Sequence, residues 1–345
     1  MITISVCMIV KNEEKNLRRC LDSLKGLWEE LIIVDTGSSD KTKEIAAEYT
    51  DKVFDFAWVD DFSAARNFSL SKATCDYIYI ADADEVLDEK NRKNFKILKA
   101  FLEPEIEIVQ MRYVNQLSNG SVYNFDAEYR PKLFKRIRNF TFIDPVHETV
   151  RLDPVVFDSD VDIIHMQEEV HGLRDIRICE KTLAAGGVLG DRLTRMYARE
   201  LLLAGEPENF AKAATYFENL LEDPDIDPDI MRLCYIVLSK NAVLKNDLTS
   251  LMKYSIKDII VSGSSELCSI LGAFYEERGD LNEAAVWYYN AHYETRPEIC
   301  LNYNREIPLE ALIRIYEKKG DSVTADNYRN ELKAVTEAAE QPSEG

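Results

Sequence analysis

The sequence predicts an α/β fold, a mixed sheet flanked by helices over residues 1–171, followed by an all-α domain of helical hairpins over 172–336 and a disordered tail at 337–345. Three observations predict it. Short β-branched runs alternate with polar or helical segments from residue 2 to about 166. Helical patterning then continues almost unbroken from about 172, and small and aromatic residues recur there at fixed offsets. At 345 residues the chain is long enough for two domains, because one core rarely grows much past roughly 250 residues.

Residues 2–10 (ITISVCMIV) read as the first strand, and 12–27 as a helix with Leu17, Cys20, Leu21 and Leu24 on one face. Residues 30–35 (ELIIVD) are a second strand, ended by the turn-forming run Thr36-Gly37-Ser38-Ser39-Asp40. A helix over 40–50 turns Ile45 and Ala46 inward, and strands at 52–58 and 76–82 flank a helix at 62–72. This alternation argues for a mostly parallel sheet. Apolar runs at 106–114, 131–136 and 161–166 extend it into a mixed one.

The second half is punctuated by Gly205-Glu206-Pro207, an Asp/Pro cluster at 222–229, Gly279-Asp280 and Gly320-Asp321. Leu271, Gly272 and Tyr275, then Ala284, Tyr288 and Ala291, then Pro297 follow the offsets of the tetratricopeptide repeat, about 34 residues long. Leu312, Tyr316, Ala325 and Leu332 form a second, weaker unit, and Ala213, Phe217 and Leu220 supply the second helix of a third. Small residues let paired helices approach, and aromatics fill the gap between pairs. An irregular helical bundle is the simpler alternative.

With 42 Lys and Arg against 62 Asp and Glu, the formal charge is −20. Such a surface repels phosphate backbones and anionic lipid, and no basic stripe breaks it, so no nucleic acid is expected as a partner. No apolar run approaches the roughly 20 residues of a membrane span. Met1–Val10 has no basic residue before its apolar stretch and no small-residue cleavage site, so it reads as a strand rather than a signal peptide. The seven cysteines are odd in number and lack CxxC spacing. Reduced thiols in a cytoplasmic protein are expected.

Chemistry concentrates where the strand at 76–82 ends. Asp82-Ala83-Asp84-Glu85 places three carboxylates at the carboxyl end of an apolar strand, the edge where open α/β sheets bind ligands. If the strand continues through them, Asp82 and Asp84 share one face. Paired carboxylates invite a divalent cation, and Mg2+ or Mn2+ takes such oxygens while sharing other positions with diphosphate. No GxGxxG, GxxxxGK[ST] or G-x-S-x-G occurs, which removes dinucleotide oxidoreduction, P-loop hydrolysis and the simplest α/β-hydrolase chemistry. No Cys/His cluster has zinc spacing.

Three segments precede this one in order: Met8-Ile9-Val10-Lys11-Asn12-Glu13-Glu14, then Ile32-Ile33-Val34-Asp35-Thr36-Gly37-Ser38-Ser39-Asp40, then Phe62-Ser63-Ala64-Ala65-Arg66-Asn67. Together with Asp82-Ala83-Asp84 they resemble the family 2 glycosyltransferases of the GT-A, or nucleotide-diphospho-sugar transferase, fold. They look especially like bacterial enzymes fused to tetratricopeptide repeats, a subgroup that includes bacteriocin S-glycosyltransferases, and enzymes that modify flagellin look similar. The resemblance implies transfer of a hexose or N-acetylhexosamine, with inversion, from a UDP-linked donor to a peptide or protein acceptor held by the repeats. It implies that Val10, Glu13, Asp35, Arg66 and Asp82 bind the nucleotide, Asp35 accepting the uracil imide N–H. Asp82 would touch ribose or metal-bound water and count with Asp84 in the metal set, Asp84 would bind the metal directly, and His165 would complete the site. Met166-Gln167 replaces the aromatic-Gly continuation usual in the subgroup after that histidine.

An acceptor base is expected from Phe142–Thr149, which follows a basic strand and resembles the family's His-Glu segment. Glu148 is the first candidate and Asp144 the second, with His147 beside Glu148. A thiol acceptor, with a free pKa of about 8.5, needs such a base less than a hydroxyl does. Two alternatives stay open. The acceptor could be a cell-envelope saccharide or lipid-linked glycan, with residues 130–138 as the local basic cluster. The chain could instead be a non-catalytic interaction protein built on its repeats, which also offer a surface for a homodimer.

Overall fold

The computed structural model describes residues 1–114, 127–146, 149–150, 154–166 and 172–340. These form two compact units, the second beginning with residue 172.

In the first unit, β1 (Ile4–Val10), α1 (Leu17–Leu24), β2 (Glu30–Asp35), α2 (Thr42–Ala47), β3 (Val53–Asp55), α3 (Phe62–Leu70) and β4 (Tyr77–Ile80) alternate as the patterning predicts. There follow β5 (Glu85–Val86), α4 (Glu89–Phe101), β6 (Ile108–Val114), β7 (Ala127–Lys135), β8 (Phe142–Ile143), β9 (Thr149–Val150) and β10 (Val156–His165). Eight strands make one sheet in the order β3-β2-β1-β4-β7-β6-β10-β5, and β8 pairs with β9. Strands β1 to β4 run parallel, and β7 is antiparallel to β4 and β6. Strand β10 lies parallel to β6 and antiparallel to β5. The sheet is therefore mixed, as expected.

Continuous apolar runs in β1 and β2 follow from burial on both faces. One cluster packs Leu17, Cys20 and Leu21 of α1 and Phe95 of α4 with Val6, Met8, Tyr79 and Met111. Another packs Ile32, Val34, Ile78 and Phe134 with Phe68 of α3. Some expectations change. The strand at 52–58 shrinks to Val53–Asp55, and helix α4 was not foreseen. Lys and Asn dilute the apolar positions of α4, which forms because Phe95 and Leu98 bury against the sheet and Asp88 caps the Asn91 N–H at 2.8 Å.

Glu30 ties the start of this sheet together. Its carboxylate accepts from Ser5 Oγ, from Lys52 Nζ at 2.6 Å, and from Thr74 N and Oγ1 at 2.8 and 3.0 Å. Burial pushes its carboxyl up, but the bonds from Lys52, Ser5 and Thr74 outweigh this and hold it at about 2. A folded value below the unfolded one means the stabilisation is complete above about pH 4.5 and is lost as pH falls toward 2. In urea titrations, Glu30→Gln should be about 2 kcal/mol less stable than the parent at pH 7, allowing for the exposure of Lys52. The gap should narrow by pH 3.

The second unit is helical throughout its described length: α5 (Gly172–Ala184), α6 (Asp191–Ala204), α7 (Pro207–Leu220), α8 (Pro228–Leu244), α9 (Leu248–Val261), α10 (Ser265–Glu277), α11 (Leu281–Tyr289), α12 (Glu306–Lys318) and α13 (Ser322–Glu340). Successive helices pack as pairs, α8 with α9, α10 with α11 and α12 with α13. Asp247, Ser264 and Asp280 cap α9, α10 and α11. The repeat offsets mark real contacts. A Cβ on Gly272 would lie 3.0 Å from the Tyr288 ring, so the glycine lets the two helices approach without displacing that ring. Tyr197 of α6 stacks on Phe217 of α7 at 5.7 Å. Helix α13 continues to Glu340, past the helix end expected at 336.

Candidate active site

The parallel arrangement of β1, β2 and β4 brings their carboxyl ends to one edge, and the loops beyond them carry the chemistry. After β1, Asn12 adopts a left-handed conformation (φ 57°). Its N–H donates to Ser38 Oγ at 2.9 Å, and its side-chain oxygen accepts from the Ser39 N–H at 2.8 Å. The Glu13 N–H donates to Thr42 Oγ1 at 2.7 Å. The first loop is thus stitched to the second.

After β2, Gly37 at φ 101° curls the chain in a way that favours glycine. The Gly37 and Ser38 N–H groups both donate to Asp35 Oδ2 at 3.0 Å. Asp35 is 2% exposed, and its buried Oδ1 has no hydrogen-bond partner among the described residues. The Val10 carbonyl accepts from Thr36 N and Oγ1 at 2.9 and 3.1 Å. Val10 is therefore part of the frame of the turn.

Helix α3 begins at Asp61, which caps the Ala64 N–H at 3.1 Å. One turn on, Arg66 places Nη1 and Nη2 3.5 and 3.4 Å from Asp82 Oδ1. Asn67 exchanges two hydrogen bonds with the Phe142 backbone, at 2.9 and 2.8 Å. The Phe62 N–H donates to the Pro145 carbonyl at 2.8 Å. Asp144, half-buried and at φ 75°, is thereby held beside α3. His147 and Glu148 lie outside the described residues.

Strand β4 stops at Ile80, so Asp82 and Asp84 sit in a turn and the shared face expected of a continuing strand does not form. The two carboxylates diverge. Asp82 faces Arg66 through Oδ1 and Lys132 Nζ through Oδ2, the latter at 3.8 Å. Asp84 Oδ2 lies 3.1 Å from His165 Nε2 at the end of β10. The His165 ring stacks on Tyr113 at 5.4 Å, and the Arg130 guanidinium lies 4.5 Å from the centre of that same ring. Buried Lys132 donates to Glu85 Oε1 at 2.7 Å and to the Tyr113 hydroxyl at 3.3 Å.

Charges follow these contacts. Burial would raise the Asp82 carboxyl, but Lys132 and Arg66 hold it well below the usual range. Burial pushes Glu85 well above it, with the Asp82 charge adding and Lys132 opposing. Burial would lower the Lys132 ammonium, but Glu85 and Asp82 keep it above its ordinary value. Glu13 is raised first by burial, and the charges of Asp84, Asp40 and Asp82 add to this. Glu13 therefore sits within the field of the aspartates.

Asp84 and His165 offer one carboxylate oxygen and one imidazole nitrogen 3.1 Å apart, a donor pair that suits Mn2+. Among the described residues no three His, Cys, Asp or Glu side chains converge as a metal set. Two protein donors with the remaining positions given to substrate oxygens is the usual pattern for Mg2+ and similar hard cations. The pair fits a cation in that sense.

Of the residues expected from sequence, Arg66, Asp82, Asp84 and His165 lie along two short contacts on one turn, Glu13 feels the aspartates, and Asp35 ends the strand beyond β1. Sequence reasoning counted Arg130 and Lys132 only within the basic cluster 130–138, missed Tyr113, and took Glu85 only as the third acid of its run. A signal existed for Lys132, since Pro131 inside a strand marks a bulge.

Residues 5–150 match the family model described as Glycosyl transferase family 2. A TPR repeat-containing protein of Synechococcus elongatus is 27% identical over 342 residues, covering 98% of this chain and 68% of that protein. The SPbeta prophage-derived glycosyltransferase SunS of Bacillus subtilis is 24% identical over 361 residues, covering 96% and 83%. An uncharacterized glycosyltransferase of Rickettsia typhi is 32% identical over 174 residues, covering 47% and 55%. Among solved structures, glucosyl-3-phosphoglycerate synthase from Mycobacterium tuberculosis, in complex with Mn2+, UDP-glucose and phosphoglyceric acid, superposes with a TM-score of 0.42 at 17% identity, covering 55% of this chain and 82% of that one.

Proposed function

We propose, from the match of residues 5–150 to the model of glycosyl transferase family 2, that the protein moves a hexose or N-acetylhexosamine from a UDP-sugar to a peptide or protein acceptor, with Mn2+ or Mg2+ bound. One observation carries the donor half. On a single sheet edge, a buried carboxylate oxygen at Asp35 lacks a partner among the described residues, while in the turn after β4 Asp84 meets His165 of β10 as a cation-ready pair.

Asp35 Oδ1 accepts the imide N–H of uracil, the one donor that a buried lone acceptor needs. Asp82, ion-paired yet partly exposed, is available to a ribose hydroxyl. Arg66 reinforces that contact from α3. Asp84 and His165 would hold the cation, which when bound neutralises charge on the departing diphosphate. Asp144, or Glu148 on the same segment, takes the acceptor proton as the sugar carbon inverts. In the helical unit, Leu248, Met252, Ile256 and Ile260 of α9 form an exposed apolar stripe at helical spacing. An acceptor peptide would cover it, and the same stripe suits pairing of two copies. The resemblance to enzymes that modify bacteriocins and flagellin supports the peptide acceptor.

The test is UDP release from UDP-glucose, UDP-galactose and UDP-N-acetylglucosamine by the purified full chain, with MnCl2 or EDTA and with or without peptides. Turnover of one donor that requires Mn2+ is expected. No release from any donor, together with no heat on mixing with UDP and Mn2+, would overturn the proposal.

Asp35→Asn gives a sharper check. Oδ2 already accepts two backbone N–H groups, so the amide oxygen must occupy that position and the NH2 must replace Oδ1. Two donors would then face each other at the base. Calorimetry should show UDP affinity down about 100-fold, with CDP, whose ring nitrogen accepts, losing less.

A further inference from the structure

Strand β7 pairs Leu133 with Val109 but Pro131 with Gln110, so Lys132 is the extra residue of a β-bulge. Pro131 has no N–H to give to a ladder, and bulges beside active sites re-aim a side chain. Here the side chain turned inward is a lysine that is 4% exposed, with its ammonium 2.7 Å from Glu85 Oε1 and 3.8 Å from Asp82 Oδ2. Asp82 consequently has a cation at each oxygen, Arg66 on one and Lys132 on the other. Asp84, two residues on, faces an imidazole instead.

We propose that Lys132 is a positioning residue that keeps Asp82 out of cation coordination, so that the divalent cation is held only together with the donor's diphosphate. This rests on the donor reading above. A carboxylate shared by two cations has little left for a third, and a fixed ammonium repels an approaching divalent ion. Asp84 and His165 alone make a weak site for a hard cation, which diphosphate oxygens complete. Asp84 and His165 would therefore hold the cation together with the nucleotide sugar and release it with UDP.

The experiment is Mn2+ binding by calorimetry and electron paramagnetic resonance, with and without UDP, on the full chain. Glu85→Gln/Lys132→Met removes the buried pair together, which avoids a lone buried charge. Glu85→Gln/Lys132→Gln is run in parallel against a packing failure in either, and Glu85→Gln alone keeps the lysine. In the native protein UDP should tighten Mn2+ binding at least about 30-fold, and by linkage Mn2+ should tighten UDP equally. Both double variants should bind Mn2+ alone about ten-fold tighter, and the coupling to UDP should shrink by the same factor. Glu85→Gln alone should keep the coupling. A merely structural lysine would weaken binding on removal, so a gain separates the two roles. Double variants that bind Mn2+ alone no tighter than the native protein overturn the proposal and leave the donor reading standing. A native protein that binds no UDP at all overturns both.

Discussion

Asp84→Asn should lower Mn2+-stimulated transfer about 1,000-fold, roughly 4 kcal/mol of barrier. The substitution keeps a side-chain oxygen but removes the negative charge, and His165 is then the only strong donor of the pair. Asp82 does not step in, because Arg66 and Lys132 already claim it. The fold should be almost unaffected, since the Asp84 side chain is only partly enclosed. Initial rates over an Mn2+ titration provide the check. Rates equal to the parent at saturating Mn2+ would remove Asp84 from the cation site.

The largest stability effect should come from the helical unit. Glu266, fully buried near the start of α10, accepts backbone N–H groups from Glu298 at 3.0 Å, Ile299 at 2.7 Å and Cys300 at 3.0 Å. These three residues belong to the strap between α11 and α12. Truncation to Ala leaves three enclosed donors without an acceptor, each worth about 1–3 kcal/mol, so Glu266→Ala should destabilise by about 4 kcal/mol. Glu266→Gln keeps one carbonyl oxygen where most of the bonds converge and should cost about 1–2 kcal/mol. Urea unfolding followed by circular dichroism distinguishes the two. A loss below about 1 kcal/mol for Glu266→Ala would mean that water takes over the carboxylate's role.

Neither effect was equally visible in the sequence. The Asp82-Ala83-Asp84 turn announces itself because its neighbours in the chain are an apolar strand and a third acid. Glu266 lies in an ordinary helical stretch, and its partners are backbone groups about 30 residues on, which carry no residue-type signature. Strands β1, β2 and β4 were legible because burial on both faces demands unbroken β-branched runs. Helix α4 was not, because four lysines mask its two packed apolar positions. The strand at 76–82 was overextended for a related reason. Ala81 and Ala83 are buried and look like strand residues, but the chain turns after Ile80.

Local order along the chain was enough to reveal an α/β sheet followed in sequence by helical hairpins, a carboxylate-bearing edge and a likeness to glycosyl transferase family 2 over residues 5–150. Turns, strand patterns and motif spacings are properties of neighbours, and neighbours can be read in line. Tertiary structure alone decided how the two aspartates divide their work. Their partners come from β7 and β10, with His165 81 residues from Asp84 and Lys132 47 from Glu85. An ion pair forms by distance in space, and only the folded sheet, with its bulge at Lys132, supplies that distance.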